Sequence, residues 1–192
     1  MIVLETARLR LRRFTKDDVD HLVTLDSDPE VMRYVTYGAP TPRSTYEDVI
    51  LPRWFQIYEQ TPLLGYWAAE STADGSFVGW FHLRPDRFDA DEQELGYRFA
   101  RSAWGRGYAT EGSRAVIAHG FTRVGARRIC ARTLAANLRS RRVMEKCGLE
   151  FEQDFVYPED VLQGRDESER AAVKYSIGFD AWVARSKAPS PQ

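Results

Sequence analysis

Two cysteines, three histidines and no long apolar run set the first limits on this 192-residue chain. Cys130 and Cys147 lack the companions that a disulfide framework or a metal site needs. Both sit in apolar patterns and read as buried free thiols. His21, His82 and His119 are scattered over separate segments without ligand spacing, so no metal is expected. No window approaches the roughly 18 uncharged apolar residues of a membrane span. The start MIVLETARLRLRRF mixes charge with hydrophobicity, unlike a signal peptide. A cytoplasmic protein without a membrane partner is therefore expected. Neither a GxxxxGK[ST] stretch nor a GxGxxG after the first strand of a βαβ unit is present, which excludes two common nucleotide-binding motifs.

What is present is ordinary for a globular protein: 43% hydrophobic and 29% charged residues. The length suits one domain, read here as residues 1–184, with 185–192 as a disordered polar tail. The net charge of −1 points to no nucleic-acid partner, yet it hides a segregation of charge. From Arg98 to Lys146, twelve arginines or lysines stand against only Glu111 and Glu145, leaving +10 there and −11 elsewhere. Such a segment suits an anion.

Periodicity gives the element order. ETARLRLRRF alternates as one strand. Thr15 caps a helix carrying Val19, Leu22, Val23 and Leu25. Asp28-Pro29-Glu30 opens a short helix, YGAPTP breaks it, and Ser44 to Gln60 is helical apart from a kink or split at Pro52. LLGYWAAES, SFVGWFHLRP and EQELGYRFA follow as an antiparallel meander. A helix from Ala109 ends at Gly125, then come the strand RRICARTL, a helix from Asn137 to Gly148, the strand LEFEQDFVY, an acidic loop from Pro158 to Glu169 and a last strand AAVKYSIGF.

The richest segment is ELGYRFARSAWGRGYATEG, a strand running through a glycine-rich turn into a helix. Gly105 and Gly107 let the backbone approach a ligand. The amides of Gly107, Tyr108, Ala109 and Thr110 stand at a helix start, where unpaired donors and the helix dipole favour an anion. Arg101 and Arg106 add positive charge. Two glycines before a helix can also be no more than a tight connection, and the arginines weigh against that reading.

WGRGYAT followed by AANLRSRRVMEKCGLEFE resembles the coenzyme A-binding core of GCN5-related N-acetyltransferases (GNAT), of the ribosomal-protein N-acetyltransferase type. ETARLRLRRFTKDD, VGWFHL, ELGYRF and NLRSRRVMEKCGLE stand in the family's order, covering about residues 4–178. The resemblance implies an α/β (α+β) fold with a central mixed, mostly antiparallel twisted sheet of about seven strands flanked by helices. One strand pair, YRFAR and ICART, splays to form the cofactor slot. It also implies acetyl-CoA as cosubstrate, with its pyrophosphate on the main chain of Trp104, Gly105, Arg106, Gly107, Tyr108 and Ala109. Trp104 departs from the Arg or Gln usual at the first position. Phe99 and Arg101 would offer backbone groups to the pantetheine arm, and Asn137 and Ser140 match family positions that contact it. Arg139, Arg141 and Arg142 either face the phosphates or form a solvated helix face.

Chemistry then asks for three groups. The amine must lose a proton, an oxyanion needs a donor, and the departing thiolate needs a proton. Glu94 matches the family's strand glutamate and is the candidate base; its plain alternative is an ion pair with Arg98 or another arginine. The Phe99 amide is the oxyanion donor by analogy. Met144 stands where many relatives carry a proton-donating tyrosine, which leaves Ser140 as the candidate acid. The implied activity is transfer of acetyl to a primary amine, on a protein N-terminus or a small molecule, in a ternary complex. The alternative is a non-catalytic acyl-CoA sensor. Acidic early helices (Asp26, Asp28, Glu30, Glu47, Asp48) and an acidic late loop (Glu159, Asp160, Asp166, Glu167) suit a cationic acceptor; the plain alternative is solvated surface charge. The subgroup resemblance leaves a homodimer open.

Overall fold

A computed structural model describes residues 1–187. The chain groups into two compact units, Met1–Arg84 with Leu95–Val116, and Pro85–Glu94 with the chain from Ile117 onward.

In the first unit, β1 (Ile2–Glu5) and β2 (Leu9–Arg13) form an antiparallel hairpin. The sequence reads this stretch as a single strand, because Thr6-Ala7-Arg8 carries no glycine, proline or asparagine to mark a turn. The turn is closed instead by Thr6, whose amide donates to the Leu9 carbonyl at 2.8 Å. That hairpin brings the strands among the described residues to eight, against about seven expected. Leu9 and Leu11 on β2 are fully buried while Arg10 and Arg12 alternate with them. Strand β2 pairs antiparallel with β3 (Gly65–Ser71), and β3 with β4 (Phe77–Pro85). Strand β5 (Gln93–Phe99) lies beside β4.

Thr15 opens a short 3-10 turn, with the Asp18 carboxylate accepting the Thr15 amide at 2.7 Å, and α1 (Val19–Asp26) follows. The Asp28 side chain caps α2 (Pro29–Met32). The helical run from Arg43 to Gln60 is interrupted just before Pro52. Between α3 (Arg43–Thr45) and α4 (Leu51–Gln60) lies one π-turn, Tyr46–Ile50, in which the Leu51 amide bonds to the Tyr46 carbonyl five residues back. A wider turn accommodates a ring that would clash with the carbonyl four residues earlier. Leu51, Trp54 and Tyr58, at helical spacing on α4, are buried in one cluster with Phe14, Leu22, Leu25, Tyr46 and Trp80. Trp54 and Trp80 are thus core residues, and Trp67 is fully buried.

Helix α5 (Tyr108–His119) continues through a π-turn to Gly125. In the second unit, β6 (Arg128–Leu134) pairs antiparallel with β8 (Ala171–Gly178), and β8 with β7 (Glu150–Val156). The start of β5 pairs parallel with β6 over two residues, Gln93 with Ile129 and Glu94 with Cys130. Helix α6 (Leu138–Lys146) packs by β6 and β7. A final helix, α7 (Phe179–Lys187), has no counterpart in the sequence reading. Residues 185–187, read there as tail, are its last turn, and 188–192 lie outside the described residues. The architecture is a mixed α/β fold with mostly antiparallel strands and flanking helices. No described helix is long and apolar enough to cross a membrane.

Candidate active site

After β5 the chain makes a 3-10 turn at Arg101–Ala103, and Trp104 leaves it in extended conformation. Gly105 and Gly107 then adopt φ of 74° and 81°, the left-handed region where a side chain is strained. A Cβ on Gly105 would meet nothing within 4 Å. Helix α5 begins at Tyr108, and an early bond runs from the Glu111 amide to the Gly107 carbonyl at 3.0 Å. The amides of Tyr108 and Ala109 precede any possible intrahelical acceptor, so they face the end of the helix as donors. Gly105, Arg106 and Gly107 are exposed. The turn fits a pyrophosphate: its main chain is accessible, no side chain crowds Gly105, and it meets the positive end of the α5 dipole.

The side chains around the turn are placed in particular ways. Trp104 folds back and donates its indole N–H to the Phe99 carbonyl at 2.9 Å, so that carbonyl already has a protein partner. The Phe99 ring is buried. Arg101 is largely exposed, with Asp28 at 3.4 Å. Arg106 points outward, while its carbonyl accepts from Arg8 at 2.8 Å. Arg8 also donates to Glu111 at 2.6 Å and covers the Tyr108 ring at 5.1 Å. No local pattern marks Arg8, because its partner lies 103 positions away.

In the second unit Asn137 caps α6, its side-chain oxygen accepting the Ser140 amide at 3.2 Å, while its amide nitrogen donates to Thr133 at 3.0 Å. Ser140 is half-buried and Thr110, in the first unit, likewise. Arg141 donates to the Tyr175 hydroxyl at 3.3 Å and the Ala135 carbonyl at 3.4 Å. Arg142 is exposed and Met144 buried. Glu94 is half-buried opposite Cys130. Burial pushes the Cys130 thiol up, which keeps it protonated and inert.

Several acidic side chains are internal. Asp26, read as part of an acceptor-facing surface, is fully buried; it pairs with Arg98 at 2.5 Å and accepts from Tyr46 and Thr41. Burial, then the Asp26 carboxylate, push the Tyr46 phenol far up. Glu30 and Glu47 pair with Arg33 and Arg43, and Asp160 with Arg87. Asp86, Glu92 and Cys130 offer three ligand atoms within 4.8 Å of one another. Arg132 pairs with Asp86, while Arg128 and Lys174 each lie 2.8 Å from Glu92, so cations already balance this cluster.

The sequence matches the Acetyltransferase (GNAT) domain family over residues 8–150. It is 33% identical over 192 residues to the FsC-acetyl coenzyme A-N(2)-transacetylase of Aspergillus fumigatus, covering 96% of this chain and 79% of that protein. The fold resembles an acetyltransferase (GNAT family) from Bacillus anthracis, with a TM-score of 0.76 and 22% identity over 94% of this chain and 99% of the other. It also resembles spermidine N-acetyltransferase from Vibrio cholerae, solved with CoA and spermine, with a TM-score of 0.72 and 17% identity over 93% and 99%. The chain belongs to the GNAT acetyltransferase family. It is an acetyl-CoA-dependent acyltransferase.

Proposed function

We propose that the protein moves the acetyl group of acetyl-CoA to a primary amine, on a small molecule or a protein N-terminus, in a ternary complex. The observation that carries this is the Gly105–Gly107 turn at the start of α5, with both glycines left-handed and the main chain exposed. It is a donor set for a pyrophosphate, with Trp104, Arg106, Tyr108, Ala109 and Thr110 completing the turn. Acetyl-CoA supplies a thioester-activated acetyl group. Of the chain's own groups, Glu94 takes the proton of the amine on a carboxylate oxygen, and Ser140 Oγ gives one to the departing sulfur. Asn137 fixes the first turn of α6 and so places Ser140. Phe99, Arg101 and Arg142 serve the remaining length of the cosubstrate.

An amine acceptor agrees with two proteins that this chain resembles, the FsC-acetyl coenzyme A-N(2)-transacetylase in sequence and the spermidine N-acetyltransferase in fold. A cationic amine remains the favoured class, since Glu159, Asp166 and Glu167 crowd one late loop. Free thiol release from acetyl-CoA, followed against polyamines, amino acids and peptide N-termini, tests the proposal. Release with one acceptor class supports it. Tight cofactor binding without release to any amine would favour the sensor reading instead.

A further inference from the structure

We infer that Arg8 is a positioning residue for the cosubstrate: it locks the glycine turn so that the Gly107 N–H faces the pyrophosphate. The inference rests on the reading of that turn as the pyrophosphate site.

Arg8 sits in the β1–β2 turn, far in sequence from the residues it holds. Its backbone amide donates to Glu111 Oε1 at 2.9 Å and its Nε to Glu111 Oε2 at 2.6 Å. The Thr6 hydroxyl donates to the same carboxylate at 2.6 Å. Three donors therefore fix Glu111, and Glu111 fixes the guanidinium. From that anchor Nη1 reaches the Arg106 carbonyl at 2.8 Å, and the guanidinium carbon lies 5.1 Å from the Tyr108 ring centre.

The consequence follows from peptide geometry. The Arg106–Gly107 bond is trans, as are all peptide bonds among the described residues. In a trans peptide the carbonyl and the next N–H point to opposite sides. Holding the Arg106 carbonyl toward Arg8 therefore turns the Gly107 N–H the other way. A glycine-rich turn left to itself would sample both orientations of this peptide plane, because each glycine allows positive and negative φ. Arg8 removes that freedom before the cosubstrate arrives, which lowers the ordering cost of binding.

Charge is not what Arg8 contributes, since Glu111 balances it at 2.6 Å. The fork shape is what matters: one edge holds a carboxylate while another nitrogen reaches a carbonyl, which a lysine ammonium cannot reproduce. Arg8→Lys therefore separates geometry from charge, and Glu111→Gln tests the anchor without touching Arg8.

The test compares two acetyl donors, acetyl-CoA and acetyl-pantetheine, which carries the same thioester but no pyrophosphate. Expected for Arg8→Lys is a rise of roughly tenfold in KM for acetyl-CoA, the size of one lost hydrogen bond to a charged group. The KM for acetyl-pantetheine and for the amine should stay where they were, with kcat little changed. Glu111→Gln should shift the acetyl-CoA value in the same direction and by less. An unchanged acetyl-CoA KM in both variants would overturn the inference, as would an equal loss with both donors accompanied by a lower Tm. A wild-type protein that uses the two donors equally well would sink the pyrophosphate reading itself, a result distinct from either.

Discussion

Arg98 Nη1 lies 2.5 Å from the Oδ1 of Asp26, a carboxylate with no exposed surface. The pair joins β5 to the end of α1, and the Tyr46 and Thr41 hydroxyls complete the shell of Asp26. A buried carboxylate is tolerated only when paired, so removing one partner leaves a charge without compensation. Asp26→Ala should cost about 3–5 kcal/mol of stability in chemical denaturation. A loss below about 1 kcal/mol would place the pair at a solvated surface.

Gly105 and Gly107 separate backbone strain from contact. Alanine at either position is held in the left-handed region, at a local cost of about 1–2 kcal/mol. At Gly107 the new Cβ would also stand 3.3 Å from Arg8 Nη2, whereas at Gly105 it meets nothing within 4 Å. Gly107→Ala should therefore weaken acetyl-CoA binding more than Gly105→Ala does. Calorimetric titration of both variants reads this order directly, and the reverse order would contradict it.

His82 predicts an acid-sensitive fold. Burial first, then the charges of Arg84 and Arg98, push its imidazole well below 6.5, so the folded protein keeps it neutral. Both ring nitrogens are buried without a hydrogen-bond partner among the described residues. The unfolded chain takes up a proton below about pH 6.5 that the folded chain refuses. Stability from this group is present above that pH and is lost as pH falls below it, by up to about 1.4 kcal/mol per unit. His82→Phe, which keeps the ring against Trp80 and Tyr66, should flatten the decline between pH 6.5 and 5 in urea titrations. An identical decline in both proteins would assign it elsewhere.

Glu94→Gln should lower kcat by about 100-fold or more, the usual size of a lost general base, with acetyl-CoA affinity unchanged. Ser140→Ala should lower kcat less. An active Glu94→Gln enzyme would move the proton-accepting role to another group.

The parts of this molecule that local chemistry dictates were legible in its sequence. Thr15 and Asn137 announce their caps, Leu9 and Leu11 their buried strand face, and Gly105 and Gly107 a turn whose dihedrals only glycine adopts without strain. What escaped depends on distant partners. Arg98 could be assigned to Glu94 by strand register, yet Asp26, 72 positions away, engages its guanidinium. Arg8 lies in an arginine-rich stretch with nothing local to set it apart, and folding brings Glu111 to it. Helix α7 escaped for a different reason: Phe179 and Trp182 pack on Phe121, a contact that outweighs a weak local signal.

Whether the turn ending at Tyr108 holds acetyl-CoA is read by calorimetric titration of the wild-type protein with acetyl-CoA and with acetyl-pantetheine. A pyrophosphate site at this turn requires saturable one-site binding of acetyl-CoA, at least about tenfold tighter than acetyl-pantetheine because only the former carries the pyrophosphate. No heat of binding with acetyl-CoA, or equal affinity for the two, would contradict it.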